Sequence, residues 1–111
     1  LTVAKASIEF QARYPPMAPT PGNRALLDKL NAVNADLQLP AMDALDPLKR
    51  GAGDISFVAA DVDGLVGLGP ASDGDHTPDE RVDIQSIWRQ ATRAAILMSR
   101  LAGERADGRG R

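Results

Sequence analysis

Residues 69–83, with the sequence GPASDGDHTPDERVD, contain the only histidine of the chain, His76, and lead directly into an amphipathic helix pattern. The glycines and prolines predict a loop, and Asp83 stands where a helix N-cap is expected. A lone histidine in a loop is usually an ordinary surface residue, although a histidine among carboxylates is also typical of a metal-ligand loop. From these residues alone, both interpretations stay open.

The residues after Asp83 predict a long helix with one continuous apolar face, because apolar side chains recur there at helical spacing. Arg89, Arg93 and Arg100 fall opposite that face, which predicts a solvated surface and not a phosphate site. The strongly polar residues 103–111 predict a flexible tail. The apolar positions are Ile84, Ile87, Trp88, Ala91, Ala94, Ala95, Met98 and Leu101.

Upstream of the loop, the pattern predicts alternating strands and helices. Alternation over residues 7–14 predicts a half-buried strand, and the proline-rich residues 15–22 predict a hinge. Residues 24–37 predict a helix with Asn23 as its N-cap, whereas residues 41–48 are a weaker strand candidate.

The short apolar run that starts at Ile55 follows Asp54, which stands as a further N-cap, and residues 65–68 predict a buried parallel strand. This order predicts an α/β fold with parallel strands joined by crossover helices. His76 lies just past a strand end, where such sheets bind ligands.

Composition limits the possible functions. The 111 residues suit one domain, and 43% hydrophobic with 25% charged residues is typical of a globular protein. A net charge of -2 and the lack of a long apolar run argue against nucleic-acid and membrane partners. Because there is no cysteine, a metal would be held by histidine and carboxylates. The chain starts without Met and is expected to be a piece of a longer protein, so its compartment stays unknown.

Two segments resemble a known family. The sequence RGAGD at residues 50–54, followed by GDHTPDERVD at residues 74–83, looks like the C-terminal end of the dinuclear zinc metallopeptidases that include glutamate carboxypeptidase, acetylornithine deacetylase and succinyl-diaminopimelate desuccinylase. The sequence RYPPM at residues 13–17 resembles the point where that family's chain leaves its inserted lid domain. The resemblance covers about residues 7–102.

The resemblance implies a fold and a domain order. The chain would be the C-terminal portion of a three-layer αβα zinc-exopeptidase-like catalytic domain, preceded by the last strand of an inserted α+β lid domain. Residues 1–14 would end the lid or dimerisation domain, residues 15–22 would form the hinge, residues 23–102 would belong to the catalytic domain, and residues 103–111 would be the tail.

The resemblance also implies a metal site. His76 would be a terminal ligand of the second of two zinc ions, while the remaining ligands and the general-base Glu would lie upstream. In such sites the metal ions polarise the scissile carbonyl and activate a bridging water. One imidazole is too few ligands for zinc, so this fragment is expected to be inactive alone.

Other matched residues would shape the loop and the substrate pocket. Thr77, Asp79 and Glu80 either support the metal ligand or simply form a capped turn. Gly51, Gly53 and Asp54 would line the pocket, although Gly53 replaces the hydroxyl residue common in the family. Arg13 either grips a substrate carboxylate or is an ordinary solvent-facing strand residue.

The substrate implied is a small peptide or N-acyl amino acid with a free carboxylate, and the lid domain implies a homodimer. One alternative is a relative that has lost its metal centre and acts as a homodimeric interaction module through its strand edge. A third possibility is a free-standing small α/β domain that binds a carboxylate through its Gly-rich turn. The upstream ligand motifs would decide between enzyme and interaction module.

Overall fold

The computed structural model describes residues 3–11, 13–15, 17–49 and 52–108. Its regular elements there are two helices, two short strands and two 3₁₀ turns. In chain order they are α1 (Pro21–Asp36), the 3₁₀ turns Pro47–Lys49 and Asp54–Phe57, β1 (Ser72–Asp73), β2 (Arg81–Val82) and α2 (Ile84–Gly108).

Helix α1 is confirmed, but it begins three residues before the predicted Arg24. The N-cap is Thr20, whose Oγ1 accepts a hydrogen bond from the Asn23 N–H at 3.1 Å. Pro21 fits the first helical turn because its missing N–H would have no partner there. The prediction of Asn23 as N-cap was therefore wrong, and the helix takes the last two residues of the predicted hinge.

Asn23 instead ties the start of α1 to a later part of the chain. Its side chain donates to the Ala18 carbonyl at 3.2 Å and accepts from the Gly64 N–H at 2.8 Å. The Asp63 carboxylate lies so close to Gly22 that a Cβ there would be 2.0 Å from Oδ1. Glycine at position 22 therefore makes room for this close approach.

Helix α1 ends in a Schellman motif. The Gln38 N–H donates to the Ala35 carbonyl at 3.1 Å, and the Leu39 N–H donates to the Asn34 carbonyl at 2.8 Å. Gln38 is left-handed with φ 55°, at the position where glycine is usual because a Cβ is strained there.

We expect Gln38→Gly to stabilise the protein by about 1 kcal/mol, because glycine removes the strain of a left-handed side-chain-bearing residue. The urea midpoint of unfolding measures the change. Gln38→Ala is the matched control and should give no such gain, because alanine keeps the Cβ. Equal midpoints for the two variants would contradict the explanation.

The core lies between α1 and α2. Leu30, Val33 and Leu97 are buried, and partly buried apolar residues surround them: Leu27, Leu37, Met42, Leu65, Leu68, Ile96 and Leu101. Ion pairs join Lys29 to Glu104 and Asp36 to Arg100. Since the later residue of α1 pairs with the earlier residue of α2, the helices run antiparallel.

Helix α2 is confirmed as a helix, but its buried face differs from the predicted one. Ser86, Arg93 and Leu97 are buried, whereas Trp88 is 69% and Met98 63% exposed. Arg93 was predicted to be solvated, and that prediction was wrong. The helix also continues past Gly103 to Gly108, so residues 103–108 are helical where a flexible tail was expected.

The predicted parallel strands are not formed within the described residues. The described part of segment 7–14 forms no strand, and neither do residues 41–46 or residues 65–68. Within the last of these, Gly67 has a φ of 86°, which a β-strand does not adopt. A strand needs a neighbour for its backbone hydrogen bonds, and the described chain supplies only the antiparallel pair β1–β2.

The described chain is elongated, measuring 75 × 37 × 18 Å with a radius of gyration of 19.1 Å. A compact domain of 100 residues has a radius of gyration of about 13 Å. Ile8 and Phe10 are exposed in the N-terminal segment, which has no regular secondary structure. Neither described helix has the length and apolar content needed to cross a bilayer.

Candidate functional site

The loop that carries His76 is the tip of the β1–β2 hairpin. Ser72 pairs with Val82 and Asp73 with Arg81, and the Asp73 carboxylate accepts from the Arg81 guanidinium at 3.0 Å. This ion pair is exposed and therefore adds little stability. The hairpin leads straight into α2, so the loop stands beside the start of that helix.

The N-terminus of α2 is capped as predicted. The Asp83 Oδ1 accepts from the Gln85 N–H at 2.9 Å, and the other carboxylate oxygen accepts from Arg89 at 2.8 Å. A carboxylate at this end also interacts favourably with the helix dipole. Asp83 thereby fixes where the hairpin stops and the helix begins.

Thr77 organises the inside of the loop. The Gly74 carbonyl accepts from the Thr77 N–H at 3.1 Å and from its hydroxyl at 2.6 Å. The Thr77 Oγ1 accepts from the Asp79 N–H at 3.3 Å, and the Thr77 carbonyl accepts from the Glu80 N–H at 3.2 Å. Within the described residues, Asp79 and Glu80 thus hold the loop through their backbones, while their side chains are exposed.

His76 lies at the tip of this loop with φ 66°, in the left-handed region. Histidine is one of the few residue types enriched there, although the conformation still carries strain. The imidazole is exposed and makes no hydrogen bond or ion pair with the described residues. Both ring nitrogens are therefore open to a ligand.

We expect Gly74→Ala to loosen the loop, because Gly74 has φ 69° and an added Cβ would lie 3.2 Å from the Asp79 carbonyl oxygen. The strain of a left-handed alanine predicts roughly tenfold faster amide hydrogen exchange at Thr77 and Glu80. Gly69→Ala is the control, since a Cβ there meets nothing within 4 Å. Unchanged exchange in Gly74→Ala would show that the loop adapts without strain.

The predicted substrate residues lie in a different part of the chain. Gly53 precedes the 3₁₀ turn that Asp54 begins, and Asp54 is exposed. The predicted N-cap role of Asp54 was wrong, because Gly53 holds that position. Gly51 lies outside the described residues.

Tyr14, the residue after Arg13, contacts the last residue of this turn. The rings of Tyr14 and Phe57 are in contact, with centroids 5.1 Å apart at 53°. The Arg13 guanidinium is exposed and hydrogen-bonds only weakly to Gln11, at 3.4 Å. The contact joins the segment of Arg13 to the turn that Asp54 begins, and no hydrogen bond or ion pair joins either residue to His76 in the described chain.

A buried polar network was not foreseen from the sequence. Asn34 is fully buried and accepts from the Arg93 Nε at 2.5 Å. Arg93 also donates to Gln90, whose side-chain amide donates to the Gly69 carbonyl at 2.8 Å. The signal that could have indicated it is the spacing of Ser86, Gln90 and Arg93 at i, i+4 and i+7, which places them on one helix face.

The described residues do not hold a metal ion by themselves. Among them there is no group of three histidine, cysteine or acidic side chains that could bind one. The chain has a single histidine and no cysteine, and a zinc site needs about three protein ligands. His76 can supply one ligand to a site that is completed by other residues.

Comparison with known proteins gives a family but no individual relative. The model of peptidase family M20/M25/M40 matches residues 2–100. No curated protein and no solved structure matches the chain. The family match covers most of the sequence, including the His76 loop and much of α2. The chain belongs to the M20/M25/M40 peptidase family.

Proposed function

We propose that the chain is the C-terminal part of a zinc-dependent metallopeptidase, most similar to glutamate carboxypeptidase, in which His76 is a terminal zinc ligand. The family consists of peptidases that are generally metal-dependent, so a metallopeptidase-type function is assigned in general. The observation that carries the finer proposal is the exposed, unengaged imidazole of His76 at the tip of a hydrogen-bonded loop.

The loop suits a metal ligand for two reasons. The Gly74 and Thr77 hydrogen bonds restrict the loop backbone, which lowers the entropy that is lost when a ligand is fixed. The left-handed conformation of His76 turns the backbone at the position that would bind metal. A bound pair of zinc ions would polarise the scissile carbonyl and activate water.

The proposed substrate is a small peptide or N-acyl amino acid, cleaved next to a free carboxylate. Arg13 offers a guanidinium that described residues engage only weakly, and such a group can bind a carboxylate through two parallel hydrogen bonds. The neighbouring Tyr14 contacts Phe57, the last residue of the turn that follows Gly53 and begins at Asp54. A glycine backbone without a side chain permits close approach of the same carboxylate.

The three-layer catalytic domain, the lid domain and two zinc ions per chain are parts of this proposal. The remaining ligands and the general-base Glu would come from polypeptide outside these 111 residues. The isolated chain is therefore proposed to be inactive, since it offers one imidazole and no metal-binding cluster within its described part.

A second candidate is a non-catalytic relative that forms homodimers. Ile8 is 79% and Phe10 90% exposed on a segment that pairs with no strand in the described chain. An unpaired extended segment can add to the sheet edge of another chain. This alternative and the proposed enzyme differ in whether the complete protein binds metal.

Metal stoichiometry separates the two proposals. Elemental analysis and native mass spectrometry would be applied to these 111 residues and to the complete polypeptide that carries them. About two zinc ions on the complete polypeptide, and almost none on the 111 residues, would support the enzyme. No zinc on either would support the interaction module.

A further inference from the structure

The face of α2 that packs against the hairpin and α1 carries three polar residues, Ser86, Gln90 and Arg93, which we call the polar stripe. Ser86 and Arg93 are 4% and 7% exposed. We infer that Ser86 positions the His76 loop by fastening both ends of its hairpin to the first turn of α2, and that Gln90 and Arg93 extend this attachment to α1. The functional consequence rests on the proposed role of His76.

The hairpin needs such an attachment because few backbone hydrogen bonds join its two strands. Each strand has two residues, and an isolated two-stranded hairpin is at best marginally stable in water. The Asp73–Arg81 pair across it is exposed. The position of the loop must therefore be set mainly by contacts at the hairpin base.

Ser86 makes those contacts on both sides of the base. Its Oγ accepts from the Ala71 N–H at 2.7 Å, immediately before β1, and donates to the Asp83 carbonyl at 2.6 Å, immediately after β2. The Asp83 N–H also donates to the Ala71 carbonyl at 2.9 Å. One buried hydroxyl thus joins the entry of the hairpin, its exit and the helix.

The rest of the polar stripe continues this connection to the helix pair. The Gln90 side chain donates to the Gly69 carbonyl, two residues before Ala71, and accepts from the Arg93 guanidinium. Arg93 donates to the buried Asn34 of α1. These hydrogen bonds connect the loop to both helices. Such a connection is needed because a binding site functions only when its groups are held within about 0.5 Å of the productive geometry.

The test compares Ser86→Ala with Ser86→Thr, which keeps the hydroxyl, and with Ser99→Ala, the same change at an exposed position of α2. All are made in the complete polypeptide. Hydrogen exchange of peptides that cover residues 69–83 is measured without zinc, and the zinc dissociation constant is measured by chelator competition.

For Ser86→Ala we expect exchange of residues 69–83 to be on the order of tenfold faster, because the Ala71 N–H loses its acceptor. Exchange of α1 should stay unchanged. The zinc dissociation constant should rise roughly 10–100-fold, as for other residues that orient metal ligands. Ser86→Thr should recover both properties, and Ser99→Ala should change neither.

Two failures are distinguishable. If the wild type binds zinc but Ser86→Ala matches Ser99→Ala in exchange and affinity, the positioning role is overturned and the proposed function stands. A loss that spreads equally to α1 would also overturn it, since Ser86 would then act on the fold as a whole. Absence of zinc from the wild type overturns the proposed function, and with it any role of Ser86 toward a metal ligand.

Discussion

Replacing His76 with asparagine in the complete polypeptide is expected to remove zinc and to lower peptide or acyl-amino-acid hydrolysis by at least about 100-fold. Losing a residue that orients a metal ligand costs about 10–100-fold in metal affinity or activity, and losing the proposed ligand itself should cost more. Asparagine tolerates the left-handed backbone that His76 adopts with φ 66°. The substitution therefore removes the imidazole with little disturbance of the loop.

Elemental analysis, kcat/KM and the thermal midpoint of the zinc-free protein are the measurements. Thr92→Ala, at an exposed position of α2, is the control and should match the wild type in all three. The zinc-free His76→Asn variant should unfold at the wild-type temperature. Wild-type zinc content and activity in this variant would show that His76 is an ordinary loop histidine.

Asn34→Ala is expected to lower the free energy of unfolding by about 2–3 kcal/mol, because it leaves the buried Nε–H of the Arg93 guanidinium without its acceptor. Asn34 is 0% and Arg93 7% exposed, and the Arg93 Nε lies 2.5 Å from the Asn34 Oδ1. Asn34 also donates to the Asn31 Oδ1 at 2.9 Å. Urea unfolding followed by circular dichroism measures the change.

A second substitution, Arg93→Met, removes the guanidinium itself. Arg93→Met should lower the free energy of unfolding by less than Asn34→Ala does, because an apolar side chain at this position also removes the free energy needed to bury a charge. In the double variant the two costs should not add, since the residues contact each other. Gln85→Ala, an exposed amide on α2, should be close to neutral. Simple additivity would contradict a direct Asn34–Arg93 interaction.

Helical periodicity predicted both helices from the sequence, but it did not predict which face of α2 is buried. The apolar face with Trp88 and Met98 has the stronger sequence pattern, whereas the structure buries the face with Ser86, Arg93 and Leu97. Periodicity reports that a helix has two unlike faces, and neighbouring parts of the chain decide which of them is covered.

The predicted strands failed for a related reason. Alternation over residues 7–14 and the apolar run 65–68 describe segments suited to a sheet, but a sheet forms only where partners supply the hydrogen bonds. The backbone of Met42, in the predicted strand 41–48, finds its hydrogen-bond partner in a side chain instead. The Asn31 side chain accepts from the Met42 N–H at 2.8 Å and donates to the Met42 carbonyl at 2.9 Å.

Part of the candidate site could be predicted from the sequence. Residue types and spacing identified the His76 loop, and Asp83 as helix cap is confirmed. Neither the left-handed backbone of His76 nor the attachment through Ser86 could be predicted, because both depend on contacts between segments. The roles of His76, Arg13, Gly53, Asp54, Thr77, Asp79 and Glu80 stay predictions, as does that of Gly51.

The exposed face of α2 gives the protein an intrinsic optical reporter. Trp88 is the single tryptophan of the chain and is 69% exposed on that face. An indole in water fluoresces at longer wavelength and is quenched more readily by iodide than an indole packed against apolar side chains. The emission of Trp88 therefore reports, without any label, when another part of the polypeptide or a second molecule covers this surface.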